Sequence, residues 1–279
     1  EKETNGMFID ILPELPADDG VARVSFYLDD DADAGSILSK VEEGLDELAL
    51  FTDLGARTIT SGETEDKDWI NTWKQYFKPF TVDDLLIKPT WESVPKEHRD
   101  KLLVQIDPGT AFGTGKHETT QLCIRQLRKY VKKDALVLDV GTGSGILGIT
   151  ALKLGAGKVW GTDLDENAIT AVGENLAAND ILKDNFPVLQ GNIIDDKEVK
   201  DWAGYEKYDL AVANILADVI ILLVDEIGQH LKSGGYFITS GIINTKEAAV
   251  KAAFSGCKDL EVAETTYQGE WVSVTARKK

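Results

Sequence analysis

From residue 135 onward, short apolar runs rich in β-branched residues alternate with longer stretches of helical periodicity, and this pattern constrains the fold of the 279-residue chain most tightly. The runs cover residues 135–140, 158–163, 186–190, 208–214 and 236–240. Helical spacing covers 146–154, 166–179, 217–231 and 245–254, with a fainter signal at 197–202. Strands and helices in alternation predict a doubly wound parallel α/β sheet. The end of the chain breaks the pattern. Residues 260–267 and 271–276 are strand-like and separated only by Gln268-Gly-Glu270, which leaves no room for a crossover helix. They are expected to form an antiparallel hairpin.

The front of the chain has a different texture. Residues 7–12 form a short apolar run, and 21–28 alternate with Ala22, Val24, Phe26 and Leu28 on one face. Ser36 stands where it could cap a helix carrying Ile37, Val41, Leu45 and Leu48 at helical spacing. Gly55 ends that helix region, and 56–60 reads as a further strand. The order strand, strand, helix, strand resembles a ferredoxin-like α+β unit lacking its opening strand and helix, so the chain is expected to begin inside that unit. Trp69, Trp73 and Phe77 then recur every four residues, as an aromatic stripe that either packs a connector against a domain or faces a ligand. Pro79 stops it. Residues 85–89 and 101–106 read as strands around a polar loop, and a helix is expected from 118 to about 131. The expected organisation is an α+β recognition domain at 1–61, a helical linker at 62–79 and the large sheet domain at 80–279.

Charge separates the same regions. Residues 1–66 hold 4 of the 30 Lys+Arg and 18 of the 48 Asp+Glu, and so 14 of the 18 units of net negative charge. Phosphate backbones need clustered positive charge, so direct nucleic-acid binding is not expected. An acidic front suits a basic protein partner, or serves solubility alone. No apolar run reaches membrane-spanning length. Cys123 and Cys257 lie far apart among apolar residues, the pattern of reduced thiols in a cytoplasmic protein. His98, His117 and His230 lack metal-ligand spacing, and no metal is expected.

The chemistry concentrates at strand ends. Val137-Leu-Asp-Val-Gly-Thr-Gly-Ser-Gly145 closes one strand and opens a helix, where glycines let a ligand approach the backbone and the helix start offers free amides. Gly143, Gly145 and Gly148 fit the G-x-G-x-x-G spacing of a dinucleotide site. Gly141, Gly143 and Gly145 preceded by Asp139 fit an S-adenosylmethionine site instead. A carboxylate there would oppose a pyrophosphate but could orient the amino-acid end of a cationic sulfonium, which favours the second reading. Asp163 ends the next strand, where a carboxylate can accept both ribose hydroxyls. Asp165 reads as a helix cap. After the third strand, Asn192 could meet a base edge and Ile193 pack on the ring.

Asn214-Ile-Leu-Ala217 follows the fourth strand. The Asn214 oxygen, with a nearby backbone carbonyl, could accept protons from an incoming nitrogen and aim its lone pair at a transferred methyl. The tetrapeptide stands where amine and amide methyltransferases carry Asn-Pro-Pro-Tyr. Its lack of an aromatic favours a flexible aliphatic amine over a planar amide or base. The other reading of Asn214 is a helix cap. The loop Asp107-Pro-Gly-Thr-Ala-Phe-Gly-Thr-Gly-Lys-His117 fails the P-loop spacing and reads as a mobile cover centred on Phe112, with Thr119 and Thr120 at the next helix start. His117 is either a hydrogen-bonding loop residue or a base.

With these motifs assembled, the chain resembles the ribosomal protein L11 methyltransferase (PrmA) family. The joint occurrence of the loop 107–120, Leu-Asp-Val-Gly-Thr-Gly-Ser-Gly-Ile-Leu and Ala-Asn-Ile-Leu-Ala carries the likeness, from residue 69 to the C-terminus. The resemblance implies a Rossmann-like class I methyltransferase fold, with S-adenosylmethionine contacts at Thr120, Gly141, Asp163 and Asn214. It also implies a bacterial, cytoplasmic enzyme with an N-terminal recognition domain on a flexible linker, expected to act as a monomer. Its substrate would be a large-subunit ribosomal protein, modified on its N-terminal amine and on lysines.

Overall fold

The structure, a computed structural model, describes Val24 and residues 33–62, 77–107 and 117–279. The chain divides into two compact units, Glu1–Thr64 and Glu65–Lys279.

In the first unit, helix α1 spans Ala34–Ala49. Its cap is Asp33, whose carboxylate accepts from Ser36 N–H at 3.2 Å, so Ser36 is the residue being capped and not the cap. A carboxylate at that end also complements the helix dipole. Ile37, Val41 and Leu45 form a half-buried stripe, while Leu48 is exposed. The strand expected at 56–60 is absent. Arg57 has φ +46° and bonds Asp46 of α1 at 2.7 Å, and a left-handed residue interrupts an extended run. The expected strands at 7–12 and 21–28 lie outside the described residues apart from Val24, which is exposed. Trp69 and Trp73 also lie outside them, and Phe77 is half-buried.

The second unit opens with a small sheet of β1 (Phe80–Val82), β2 (Leu85–Lys88) and β3 (Leu102–Gln105). Strand β1 pairs antiparallel with β2, and β2 pairs parallel with β3. Helix α2 (Glu118–Tyr130) follows. The main sheet then alternates β4 (Leu136–Val140), α3 (Ile146–Lys153), β5 (Lys158–Asp163), α4 (Glu166–Ala178) and β6 (Val188–Gln190). It continues with α5 (Lys197–Ala203), β7 (Tyr208–Asn214), α6 (Ala217–Ile227), β8 (Leu231–Ile243) and α7 (Glu247–Gly256), and ends in β9 (Leu260–Gln268) and β10 (Trp271–Lys278).

The spatial order is β6-β5-β4-β7-β8-β10-β9. Five strands are parallel, and β10 lies antiparallel between β8 and β9, as the two-residue hairpin connection requires. Burial on both faces follows from strand alternation. Val137, Leu210, Val212 and Ile238 join a core with α2, α3 and α4, while Leu138, Val140, Ala211, Ala213 and Phe237 join a core with α6 and α7. The chain proceeds outward from β4 in one direction to β6 and in the other to β8. The switch point is therefore between β4 and β7, and ligands of such sheets bind beyond the carboxyl ends there.

Candidate active site

At the carboxyl end of β4 the chain turns through Gly141 (φ +70°), Gly143 (φ +54°) and Gly145 (φ +83°). A side chain on Gly141 would be strained by that φ and would meet the Ile215 Cγ2 atom at 2.5 Å. The turn is tied to β5. Gly141 N–H donates to the Thr162 carbonyl at 2.8 Å, and Gly143 N–H donates to Asp163 Oδ2 at 2.7 Å. Asp163 Oδ1 accepts from Asp165 N–H at 3.0 Å. Each carboxylate oxygen keeps a further lone pair for a ligand hydroxyl. Gly141, Gly143 and Asp163 are partly exposed and form an open rim, whereas Gly145 is enclosed against Val172. Gly148, one turn into α3, lets Phe186 pack directly on the helix. Asp165 caps α4, accepting from Asn167 N–H at 2.9 Å.

Two expected ligand contacts are enclosed instead. Asp139 is 0% exposed; its Oδ2 accepts from Gly148 N–H at 2.9 Å and its Oδ1 has no hydrogen-bond partner among the described residues. In this structure it braces the turn from beneath and is not open to the amino-acid end of a ligand. Burial above all, with the nearby Asp163 charge adding, pushes its carboxyl up to about 8. Ile193 is 2% exposed within the core that contains Val199 and Ile220, so it offers no surface to a ring. The inward direction of its side chain follows the Asx turn before it, in which Asn192 Oδ1 accepts from Ile194 N–H at 3.0 Å. That bond engages the Asn192 oxygen and not its Nδ2.

The Asp139 environment has a measurable consequence. A carboxyl neutral in the fold and ionised in the unfolded chain takes up a proton on folding between pH 3.8 and about 8, so stability falls as pH rises through that window. Asp139→Asn removes the titration. Its thermal midpoint, measured from pH 5 to 8, should decline less with pH than that of the wild type. Equal slopes would show that Asp139 does not titrate in this range.

Asn214 lies at the carboxyl end of β7, opposite Ser240 of β8. It does not cap the following helix, because α6 begins at Ala217 with no side-chain cap bond. Its Nδ2 instead donates to Thr120 Oγ1 at 3.1 Å, and its Oδ1 carries no hydrogen bond among the described residues. Thr120 is buried in the first turn of α2. That helix is capped by His117, whose Nδ1 accepts from Thr119 N–H at 3.3 Å and whose ring meets Trp271 edge-on at 4.9 Å. The same Nδ1 lies 2.9 Å from Thr119 Oγ1, so the ring is fixed at the start of the helix. Between the glycine turn and Asn214 stands Ile215. Its side chain rests against Gly141, and its carbonyl occupies the place that a side chain on Gly241 would take. Ile215, the residue after Asn214, thereby packs against the glycine turn. Phe112 and the rest of 108–116 lie outside the described residues.

The Asn214–Thr120 bond and the Ile215 wedge were not visible in sequence periodicity. The one available signal was Gly241 after an apolar strand run, since a glycine there marks a close backbone approach.

A family model described as ribosomal protein L11 methyltransferase (PrmA) matches residues 3–279. A ribosomal protein L11 methyltransferase from Lachnospira eligens is 56% identical over 279 residues, covering 100% of this chain and 88% of that protein. One from Agathobacter rectalis is 55% identical over 276 residues, covering 98% and 85%. Among solved structures, the ribosomal protein L11 methylase from Lactobacillus delbrueckii subsp. bulgaricus superposes with a TM-score of 0.65 at 32% identity, over 73% of this chain and 100% of that one.

Proposed function

The chain belongs to the ribosomal protein L11 methyltransferase (PrmA) family, and on that premise we propose that it transfers methyl groups from S-adenosylmethionine to amino groups of ribosomal protein L11. Lysine side chains, the N-terminal α-amine or both are the acceptors. The observation that carries this reading is the placement of Asn214. It is tethered by Thr120, and the next residue, Ile215, packs against the Gly141 turn, which supports a role for Asn214 as a fixed proton acceptor near the donor.

The residues fit the methyl donor. Asp163 has lone pairs for the ribose hydroxyls, Gly141 and Gly143 present open backbone, and Asn192 Nδ2 can reach a base edge. When bound, the donor supplies an electrophilic methyl on a sulfonium. Asn214 Oδ1 and a neighbouring main-chain carbonyl each take a hydrogen bond from the incoming amine, and two fixed acceptors orient its lone pair for in-line attack. Ala217 stands where the Asn-Pro-Pro-Tyr pattern has its aromatic, so no ring is present there for a planar amide to stack on. At pH 7 a lysine costs about 4.6 kcal/mol to neutralise and an α-amine only about 1 kcal/mol, so α-amine methylation needs less help from the site. The enzyme works as a monomer in the cytoplasm. Residues 1–61 recognise the substrate, 62–79 link, and 80–279 catalyse.

Calorimetry tests the donor. Asp163→Ala should weaken S-adenosylmethionine binding by about 1.5–3 kcal/mol, the range for hydrogen bonds to a charged acceptor. NAD should not bind the wild-type chain measurably. Tight NAD binding with none of S-adenosylmethionine would sink the reading.

A further inference from the structure

Asn175 on α4 is 1% exposed and bonds in two directions. Its Nδ2 donates to the Ser144 carbonyl inside the glycine turn at 2.9 Å and to the Asp107 carbonyl at 3.5 Å, and its Oδ1 accepts from Asp107 N–H at 2.8 Å. Asp107 lies just beyond β3, with its own carboxylate held by Thr90 N–H and Oγ1, each at 2.7 Å. At the C-cap of α4, four residues on, the buried Asn179 treats Gln105 in the same manner while its Nδ2 also donates to the Asn175 carbonyl at 2.7 Å. Its Oδ1 accepts from Gln105 N–H at 2.9 Å, and its Nδ2 donates to the Gln105 carbonyl at 2.6 Å. Two amides four residues apart on one helix face thus act as strand partners for β3 and the residues after it. Of the two, Asn175 alone reaches the glycine turn.

A buried amide is costly unless all of its polar groups are paired, and an apolar residue would fill this helix–sheet contact without that cost. The amide is therefore explained by what it connects. The turn needs such a connection, because its glycines have wide conformational freedom and its rim residues Gly141 and Gly143 face solvent.

We propose that Asn175 is a positioning residue for the methyl-donor site, holding the glycine turn at Ser144 against the chain at Asp107 so that the backbone from Gly141 to Gly145 is set before ligand arrives. The inference rests on the donor reading given above. Without the amide, ligand binding must order the turn, and that cost appears in affinity. Turnover at saturation is spared, because Asn214 and the incoming amine are untouched.

The test uses the full chain with Asn175→Ala, the isosteric Asn175→Asp, and Asn179→Ala as a comparator that breaks the same kind of bond away from the turn. Asn175→Asp keeps the acceptor for Asp107 N–H but sets an oxygen against the Ser144 carbonyl. Hydrogen exchange at the Gly143 and Gly145 amides without ligand should be at least about tenfold faster in both Asn175 variants and unchanged in Asn179→Ala. Both Asn175 variants should raise Kd and KM for S-adenosylmethionine by about tenfold, with kcat within about threefold. Asn179→Ala should lower the thermal midpoint as much as Asn175→Ala while leaving Kd within about twofold. An equal rise in Kd for Asn179→Ala, or an unchanged Kd in both Asn175 variants, would overturn the proposal. A wild-type chain that binds no S-adenosylmethionine would contradict the proposed function instead, and the ligand-free exchange comparison would still decide the role of Asn175.

Discussion

Replacing Asn214 with alanine should lower turnover by about 100-fold or more while changing the Kd of S-adenosylmethionine by less than about threefold. Two losses combine in the variant. The Oδ1 acceptor disappears, and so does the 3.1 Å bond that ties the end of β7 to Thr120 on α2. Neither affects the Gly143–Asp163 bond or the glycine turn directly, so the donor site should survive. The loss should appear in kcat and kcat/KM together, as expected for an interaction made while the amine attacks. Turnover within about threefold of wild type would show that Asn214 does not orient the nitrogen.

Deleting residues 1–62 should abolish methylation of folded L11 and leave S-adenosylmethionine affinity nearly intact. The charge distribution gives the reason. Residues 1–66 carry 14 of the 18 units of net negative charge, while the glycine turn, Asp163 and Asn214 all lie beyond residue 106. If the acidic front steers a basic partner, raising salt from about 0.05 to about 0.5 M should slow association with the full chain and matter much less for the truncated one. A truncated enzyme that methylates the same sites at the same rate would show that the catalytic region alone selects the substrate.

What could be read from the sequence follows from how local each determinant is. The strands 158–163 and 208–214 were bounded correctly because their ends carry a chemical change, to Asp163 and to Asn214. The glycine turn was legible because three positive-φ positions demand glycine. Strand β8 was expected over 236–240 yet runs Leu231–Ile243, because its polar opening Lys232-Ser-Gly-Gly resembles a loop until a neighbouring strand is known. Helix α6 consequently ends at Ile227, short of the expected 231. In the front unit, Arg57 looked like part of a strand because nothing local reports a left-handed φ or a bond to Asp46. Site residues divided in the same way. Asp163 and Gly141 stand at element ends that a pattern reveals, while the enclosure of Asp139 and Ile193 depends on what packs above them. The Thr120–Asn214 bond spans 94 residues, beyond the reach of any periodicity.

The most direct measurement is the mass of purified L11 after incubation with the full chain and S-adenosylmethionine, followed by fragmentation to locate each added methyl. The prediction is one or more methyl increments on nitrogen, at lysine side chains, the N-terminal α-amine or both, and none when Asn214→Ala enzyme is used at matched, limiting time. Unmodified L11 with wild-type enzyme that binds the donor, or methyl groups found on oxygen, sulfur or a side-chain amide, would contradict amine methylation of L11.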